Sequence, residues 1–281
     1  MKISDLFEKY KETREFQNLS FNSKRAYIGM MKLALEDYFL VSNHTKHITE
    51  NYVDTLYEKL CKNGKSTVAG MFMRVMRRIW SVAKRKKWVK TNPFREMRIK
   101  VDKPREIVWT KEQVKKLLDV GLVNHKYGVT ATVALCYYLA QRPGDMMYLT
   151  RDAFNEDFTE VNFVQKKTGK KMKLPVIPEL IKYIKAAFST NGDVIYNKTE
   201  KSCNVEFREL KRLSLTPINL QIRDLRRTAL VEFMENGATD AEGQSWSGHA
   251  NRDMLNTYAP PTMRMARSAM QKRFGNRVDT D

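Results

Sequence analysis

The segment from Tyr127 to about Ala140 is almost wholly apolar, and no other stretch limits the fold of this chain so strongly. Its length suits a helix, and its apolar residues on every side predict that the helix is buried all round in a hydrophobic core. Apolar and polar residues then alternate from Phe158 to Gln165 and from Met172 to Val176, with the turn signal Thr168-Gly169 between them. This alternation predicts a β-hairpin. The second part of the chain is therefore expected to combine helices with a small antiparallel sheet.

Helical patterns make up the rest of the second part. Thr110, followed by Gln113, resembles a capping box that opens a new domain. The helices expected after the hairpin lie at about 178–188, 202–213, 224–236 and 252–258. Gly237 is placed to cap the third of these. The closing segment, 263–281, is basic and then polar, and we expect either a tail or a helix that docks on a neighbouring subunit.

The N-terminal part contains helical patterns only. Asn22 or Ser23 is expected to cap one helix, and Thr49 is expected to cap a second. A long third helix is expected from about Thr67 to Lys86, and Asn92-Pro93 stops it.

These patterns predict a mainly α chain with a small antiparallel sheet, divided into two domains. A length of 281 residues agrees with two domains of ordinary size. We place a helical domain at 1–97, a linker at 98–108, and a mixed α+β domain with a C-terminal tail at 109–281. The linker region is charged and has no apolar periodicity.

The chain is strongly basic, with 51 Lys and Arg against 32 Asp and Glu, a net charge of +19 and a pI near 9.8. Such an excess repels itself unless a polyanion offsets it, so nucleic acid is the expected partner. Residues 1–100 alone carry a net charge of +12. From Arg74 to Lys90 no acid is present, which argues against i,i+4 ion pairs within the helix. The cations that we assign to DNA phosphates are Arg74, Arg77, Arg78, Lys84, Arg85 and Lys86.

Several classes of protein are excluded by composition. No apolar run is long enough to span a membrane, and the N-terminus lacks the apolar stretch of a signal peptide. Cys61, Cys136 and Cys203 are far apart and odd in number, so a disulfide framework or zinc ribbon is not expected and a reducing cytoplasm fits. The four histidines form no metal-ligand pair, and no P-loop or nucleophile elbow is present, so we predict no metal site.

The remaining candidates for chemistry are polar residues in the second part. Arg142 follows the apolar helix, where an unpaired buried charge would be costly. Arg223 and Arg226 are three residues apart, so both lie on one side of a helix start and together suit a phosphate. His249 and Tyr258 complete the set. Each residue has an ordinary structural explanation when it is taken alone, and only their order and spacing together favour an active site.

In that order and spacing the chain resembles the tyrosine recombinase (phage integrase) family over about 110–258. The motifs that carry the resemblance are Gln141-Arg142-Pro143-Gly144-Asp145, Lys167 before Thr168-Gly169, Arg226 in Arg223-Asp224-Leu225-Arg226, Ser247-Gly248-His249, and Tyr258 nine residues later. The helical N-terminal part resembles the core-binding domain of the family, without a motif. Nothing precedes that part, so no domain for accessory arm sites is expected.

Two positions depart from the family pattern. Arg223 stands where the family usually has His or Lys, and the first box reads Leu-Ala-Gln-Arg at 139–142 instead of the commoner Thr-Gly-Leu-Arg. An arginine can donate to a phosphate, but its pKa above about 12 makes it a poor proton shuttle. An acid–base role at Arg223 is therefore in doubt.

The resemblance implies that Tyr258 attacks a DNA phosphodiester and forms a 3′-phosphotyrosyl link, while Arg142 and Arg226 stabilise the charged transition state. Lys167 is the expected proton donor to the leaving oxygen. The rival lysines are Lys166, Lys170 and Lys171. His249 either takes or relays a proton or donates to the phosphate, and the sequence does not choose.

The implied partners are double-stranded DNA, three further copies in a tetramer on that DNA, and accessory DNA-bending proteins, with no cofactor and no membrane. The resemblance thus implies a site-specific recombinase (integrase) that is located in the cytoplasm or on the nucleoid. The alternatives are a resolvase or invertase of the same family, a type IB topoisomerase, and a catalytically silent DNA-binding protein.

Overall fold

The computed structural model describes residues 1–39, 43–100, 105–249 and 262–274. The chain divides into two compact units, Met1–Lys103 and Pro104–Asp281, here called unit 1 and unit 2. The roles predicted for the two domains, DNA binding and catalysis, stay predictions.

The regular elements described in unit 1 are all helices, beside one isolated β-bridge between Lys2 and His44. Its helices are α1 (Ile3–Lys11), α2 (Arg14–Gln17), α3 (Phe21–Leu33), continued by a π-helical turn at Ala34–Tyr38, then a 3-10 turn at Thr45–His47, α4 (Glu50–Lys62) and α5 (Ser66–Arg85). The predicted long helix is confirmed by α5, whose apolar side packs into the core around Trp80. The hydroxyl of Thr49 accepts from the Tyr52 N–H at 3.2 Å, so the predicted cap of α4 is confirmed.

Two features of unit 1 differ from the sequence prediction. Ser20, not Asn22 or Ser23, caps α3 by accepting from the Ser23 N–H at 3.3 Å. Helices α1 and α2 were not predicted, although the apolar positions of α1 recur at helical spacing and are buried. The spacing of these positions is enough to predict α1, whereas α2 is only four residues long and gives a weak periodic signal.

Unit 2 surrounds the predicted apolar helix. Its elements are α6 (Lys111–Val123), α7 (Tyr127–Tyr138), α8 (Pro143–Met146), a 3-10 turn (Arg151–Ala153), β1 (Glu160–Val164), β2 (Lys171–Pro175), α9 (Pro178–Asn191), α10 (Glu200–Leu213), α11 (Asp224–Glu235), α12 (Asp240–Ser247) and α13 (Met263–Phe274). Helix α7 is buried on every side from Gly128 to Cys136 and packs against α6, α9 and α11, which confirms its predicted place in the core.

The predicted hairpin is present and slightly shorter than expected. Strands β1 and β2 pair antiparallel, with Val161 opposite Leu174 and Phe163 opposite Met172. Val161, Leu174 and Met172 are buried in the core of unit 2. The predicted start at Phe158 was wrong, because this residue has a φ of 61° in the turn before the strand. With helices and this two-stranded sheet, the predicted fold class is confirmed.

The termini of several helices also follow the sequence signals. Thr110 and Gln113 form a complete capping box at the start of α6. Gly237 has a φ of 87° directly after α11 ends, as predicted for a helix cap. Helix α13 lies against α11 of the same chain, and its docking on a neighbouring subunit stays a prediction. The predicted helix at 252–258 lies outside the described residues.

Candidate active site

Arg142 is positioned by a sharp end to the central helix. After α7, Ala140 takes a left-handed conformation with a φ of 52°, and Pro143 opens the short helix α8. The Arg142 side chain is 20 % exposed, and its Nη1 lies 3.4 Å from Gln165 Oε1 and 3.9 Å from Asp145 Oδ2. Asp145 thus supplies a negative charge within ion-pair distance of Arg142. This arginine reaches the base of the hairpin.

Arg226 lies in the first turn of α11 and is almost completely buried. Its Nη2 donates to the Ser247 carbonyl oxygen at 3.1 Å and to His249 Nε2 at 2.9 Å. A buried guanidinium is costly unless such donors are satisfied. Both of these partners are uncharged, so they hold the guanidinium in place without cancelling its charge.

The same contacts fix the tautomer of His249. A guanidinium only donates, so Nε2 must be the accepting nitrogen and Nδ1 must carry the proton. Nδ1 lies 2.7 Å from the Ser247 hydroxyl, which in turn donates to the Gly243 carbonyl oxygen at 2.6 Å. His249 is therefore the middle member of a chain that begins at Arg226 and ends on the backbone of α12.

Electrostatics keep His249 neutral. Burial, and then the positive charges of Arg226, Arg142 and Lys170, lower the pKa of the imidazole from 6.5 to about 3. At neutral pH this ring is a weak base and an uncharged hydrogen-bond partner.

A single glycine allows the hairpin to approach this chain of contacts. Gly248 ends α12 with a φ of 75°, a left-handed conformation that side chains rarely adopt. A Cβ at this position would lie 2.5 Å from Gln165 Nε2 and 2.9 Å from Met172 Sδ. The glycine of the Gly-His motif therefore lets the end of α12 pack directly against the hairpin.

The lysines of the hairpin turn differ in their surroundings. The Lys166 ammonium lies 3.9 Å from the centre of the exposed Tyr148 ring, in a cation–π contact. Lys167 and Lys170 are exposed, and Lys170 is near enough to affect the pKa of His249. The Lys166 ammonium is thus held at Tyr148, whereas Lys167 and Lys170 are both candidates for the proton donor.

The other predicted site residues lie in different settings. Arg223, at the N-cap of α11, is exposed, whereas Arg226 is buried, so the two side chains do not share one environment. The buried neighbour is Arg227, whose Nη1 donates to the Arg105 carbonyl oxygen at 2.9 Å. A phosphate-binding role for Arg223 stays a prediction. Tyr258 lies outside the described residues.

The six cations assigned to DNA binding are not equivalent. Arg77 Nε donates to the Phe94 carbonyl oxygen at 2.7 Å, and its Nη2 donates to the Met97 carbonyl oxygen. Arg85 forms an ion pair with Glu15 of α2, a partner that the absence of acid within α5 does not reveal. The exposed members are Arg74, Arg78, Lys84, Arg85 and Lys86.

Three residues that hold the site together were not assigned this part from the sequence. Gln141 and Gln165 are fully buried and bonded to each other at 2.8 Å, and Ser247 accepts from the side chains of both. A signal was available for Gln141, because an amide directly after a buried apolar helix needs partners.

Two further observations concern the described residues only. Among them, no cluster of three or more His, Cys, Asp or Glu side chains is arranged to hold a metal ion. Within the same part of the chain, no helix combines the length and the apolar character needed to cross a membrane.

Comparison with solved structures identifies the fold. A lambda integrase dimer bound to a COC′ core site superposes with a TM-score of 0.77 at 15% identity, covering 92% of this chain and 77% of the lambda chain. The Tn1549 transposon integrase in complex with transposon right end DNA gives a TM-score of 0.74 at 16% identity, covering 98% of this chain and 99% of that one. A lambda integrase tetramer bound to a Holliday junction gives 0.77 at 14% identity, covering 92% and 77%. The fold is that of tyrosine recombinases.

The amino-acid sequence also matches a model of a protein family. The model of the phage integrase family matches residues 108–265, which is more than half of the chain. The protein belongs to the phage integrase family, as the motifs predicted. A comparison with curated proteins finds no match.

Proposed function

We propose that this protein is a site-specific DNA recombinase that cleaves and rejoins DNA through a 3′-phosphotyrosyl intermediate. The observation that carries the proposal is the convergence of Arg142, Arg226 and His249, which come from three separate motifs of the family. Arg142 meets the side chain of Gln165, and Gln165 and Arg226 both donate to the Ser247 carbonyl oxygen at 2.9 and 3.1 Å. His249 then accepts from Arg226.

This arrangement suits phosphoryl transfer. Negative charge gathers on the non-bridging phosphate oxygens in the transition state, and fixed cations that need no rearrangement stabilise it most. Arg142 and Arg226 supply those cations. His249, neutral and held in one tautomer, serves better to orient Arg226 and the phosphate than to remove a proton, because its pKa of about 3 makes it a weak base.

In the proposed cleavage step, the phenolic oxygen of Tyr258 forms a bond to phosphorus and gives up its proton to solvent. The nearby positive charge favours this loss of the proton. The bond from phosphorus to the 5′-oxygen breaks, and Lys167 gives this oxygen a proton. The products are a 3′-phosphotyrosyl link and a free 5′-hydroxyl. Attack by the 5′-hydroxyl of a partner strand reverses the step and exchanges the strands.

We also propose that the protein acts on duplex DNA as a tetramer, with accessory DNA-bending proteins as further partners. The solved relatives include integrases on DNA and a tetramer on a Holliday junction. The exposed cations of α5 and Arg223 are proposed to contact phosphates, which would make binding strongly dependent on salt.

The first experiment tests nucleophile, substrate and metal independence together. The protein is mixed in EDTA with a nicked suicide duplex that carries its site, and covalent adducts are separated on a denaturing gel. We expect an adduct from the natural protein and none from Tyr258→Phe, which should still bind DNA. An adduct that persists in Tyr258→Phe would contradict the assignment, and no adduct with the natural protein would favour a silent DNA-binding protein.

The same substrate distinguishes the lysines. Loss of a general acid slows a reaction by about 10²–10⁴-fold, so Lys167→Ala should slow cleavage by that factor. Lys170→Ala, from the same turn, is the matched control and should change the rate by less than about tenfold. The reverse order of effects would assign the proton donor to Lys170.

Recombination assays separate the alternatives that share this chemistry. Plasmids carrying two sites in direct or inverted orientation report resolution or inversion, and sites on separate molecules report integration. Relaxation of supercoils without any recombinant product would identify a topoisomerase instead.

A further inference from the structure

Gln141 and Gln165 form a buried amide pair beneath the hairpin turn. We infer that Gln165, held by Gln141, is a positioning residue that sets where the turn carrying Lys167 lies relative to Arg142 and Ser247. The inference rests on the proposed function, because it assigns Gln165 a part in the proton transfer from Lys167. Gln165 itself is not expected to touch the DNA.

Every hydrogen-bonding position of the Gln165 amide is used. Its Nε2 donates to Gln141 Oε1 at 2.8 Å and to the Ser247 carbonyl oxygen at 2.9 Å. Its Oε1 accepts from the Thr168 hydroxyl at 2.8 Å and from Arg142 Nη1 at 3.4 Å. A primary amide offers two N–H donors and two lone pairs, so these four contacts satisfy it.

Gln141 fixes the direction of this amide. Its Nε2 donates to the carbonyl oxygens of Leu139 and Trp246, both at 2.9 Å, so its Oε1 must be the atom that faces Gln165. Both side chains are fully buried. Leaving a buried amide without a partner is costly, so the pair resists rotation of either side chain.

The backbone of the turn is attached to this pair. The Gln165 N–H donates to the Lys170 carbonyl oxygen at 2.9 Å, and the Gly169 N–H donates to the Gln165 carbonyl oxygen at 2.8 Å. Asp145 Oδ1 accepts from the Lys166 N–H at 2.9 Å. The base of the turn is therefore joined through side chains to residues beside Arg142.

Lys167 depends on these anchors because its own side chain is exposed. Its backbone lies between Lys166 and Thr168, and each of these neighbours makes one of the contacts described above. Loss of the Gln165 side chain would release the Thr168 contact and separate the turn from Ser247. A displacement of about 1 Å in a catalytic group can slow a reaction about 10²-fold.

The test compares two leaving groups in single-turnover cleavage of the suicide duplex. One substrate has the natural 5′-oxygen at the scissile phosphate, and the other has sulfur there. A thiol has a pKa near ~8.5, so its thiolate leaves without a proton donor, whereas an alkoxide needs one. Gln165→Leu should slow cleavage of the oxygen substrate by about 10- to 100-fold and of the sulfur substrate by less than about threefold.

Three matched variants support this comparison. Lys167→Ala should show the same selective recovery with sulfur, because both changes affect the proton donor. Gln165→Glu keeps the shape and the acceptors but loses the donors to Gln141 and Ser247. Its cleavage rate on the oxygen substrate should lie between the rates of Gln165→Leu and the natural protein. Gln141→Leu, which places the commoner family residue there, should also slow only the oxygen substrate. Rate constants are taken from the fraction that reacts, so a partly unfolded variant changes the amplitude alone.

The outcomes separate this inference from the proposed function. If Gln165→Leu slows both substrates equally, or neither, Gln165 does not position the proton donor and the inference is wrong. If the natural protein forms no adduct through Tyr258 with either substrate, the proposed function fails and the inference fails with it.

Discussion

Arg77 of unit 1 and Arg226 of unit 2 are both held by backbone carbonyl oxygens, but their surroundings differ. Arg77 is half-buried and joins α5 to the segment that follows it through Phe94 and Met97. Arg226 is fully buried and is held by Ser247 and the neutral ring of His249. The first guanidinium stabilises the path of the chain, whereas the second is kept charged and fixed among groups suited to bind a phosphate. Residue type alone therefore does not separate a structural arginine from one proposed to act in catalysis.

The largest expected effect is on chemistry at Arg226. Arg226→Lys keeps the charge but loses the planar arrangement of donors, so single-turnover cleavage should fall by about 10²–10³-fold, as for loss of one donor to a transition-state oxyanion. Binding of duplex DNA should change by only a few fold, because the other proposed phosphate contacts are kept. Arg77→Lys is the control and should leave the cleavage rate within about threefold. Equal effects of the two changes would remove the distinction between these arginines.

The corresponding effect at Arg77 is on stability. Arg77→Ala removes the hydrogen bonds of a charged group to two carbonyl oxygens, which should lower the free energy of unfolding of unit 1 by about 2 kcal/mol. Urea unfolding measures this loss, with hydrogen exchange of the amides in α5 used to follow unit 1. Arg78→Ala, an exposed neighbour, should stay within about 0.5 kcal/mol of the natural protein. An unchanged stability in Arg77→Ala would return this residue to the set proposed for DNA contact.

A smaller effect concerns the neutrality of His249. Its folded pKa of about 3 lies below the ordinary 6.5, so the folded state binds fewer protons than the unfolded state. The stability that this neutral ring contributes is therefore lost as the pH falls from 6.5 towards 3. Between pH 6.5 and 5 the loss attributable to this ring should be about 1.5 kcal/mol. His249→Asn should remove that part of the pH dependence, which unfolding at both pH values measures. The same slope in the variant would mean that the ring titrates normally.

The smallest expected effects are those of single exposed cations on α5. Arg74→Ala and Lys84→Ala should each reduce the slope of log Kd against log salt by about one unit or less, because each neutralises at most one phosphate. Arg85→Ala should change the slope less, since Arg85 is already paired with Glu15. Binding measured over a range of salt checks this order. If none of the three slopes changes, helix α5 does not lie on the DNA.

Local signals explain why much of the fold was predictable. A helix as apolar as α7 is stable only inside a core, and a Thr-Gly turn between two segments of alternating apolar residues indicates a β-hairpin. The capping box of Thr110 with Gln113 works through contacts between neighbours in sequence. Helix α1 was missed although its apolar residues recur at helical spacing, and the four-residue α2 is too short to show periodicity. The motif arginines and His249 were identified by resemblance, not by any local rule.

By itself, the sequence determined most of the elements, the positions of the motifs and the excess of positive charge, because each depends on residues close together in the chain or on composition. Only the tertiary structure decided that Arg77 supports a backbone segment, that Arg226 sets the tautomer of His249, and that Gln141 and Gln165 share one buried contact. The physical reason is that a hydrogen bond requires atoms within about 3 Å of each other. For Arg77 and Phe94, 17 positions apart, and for Gln141 and Gln165, 24 positions apart, packing of the whole unit creates that proximity.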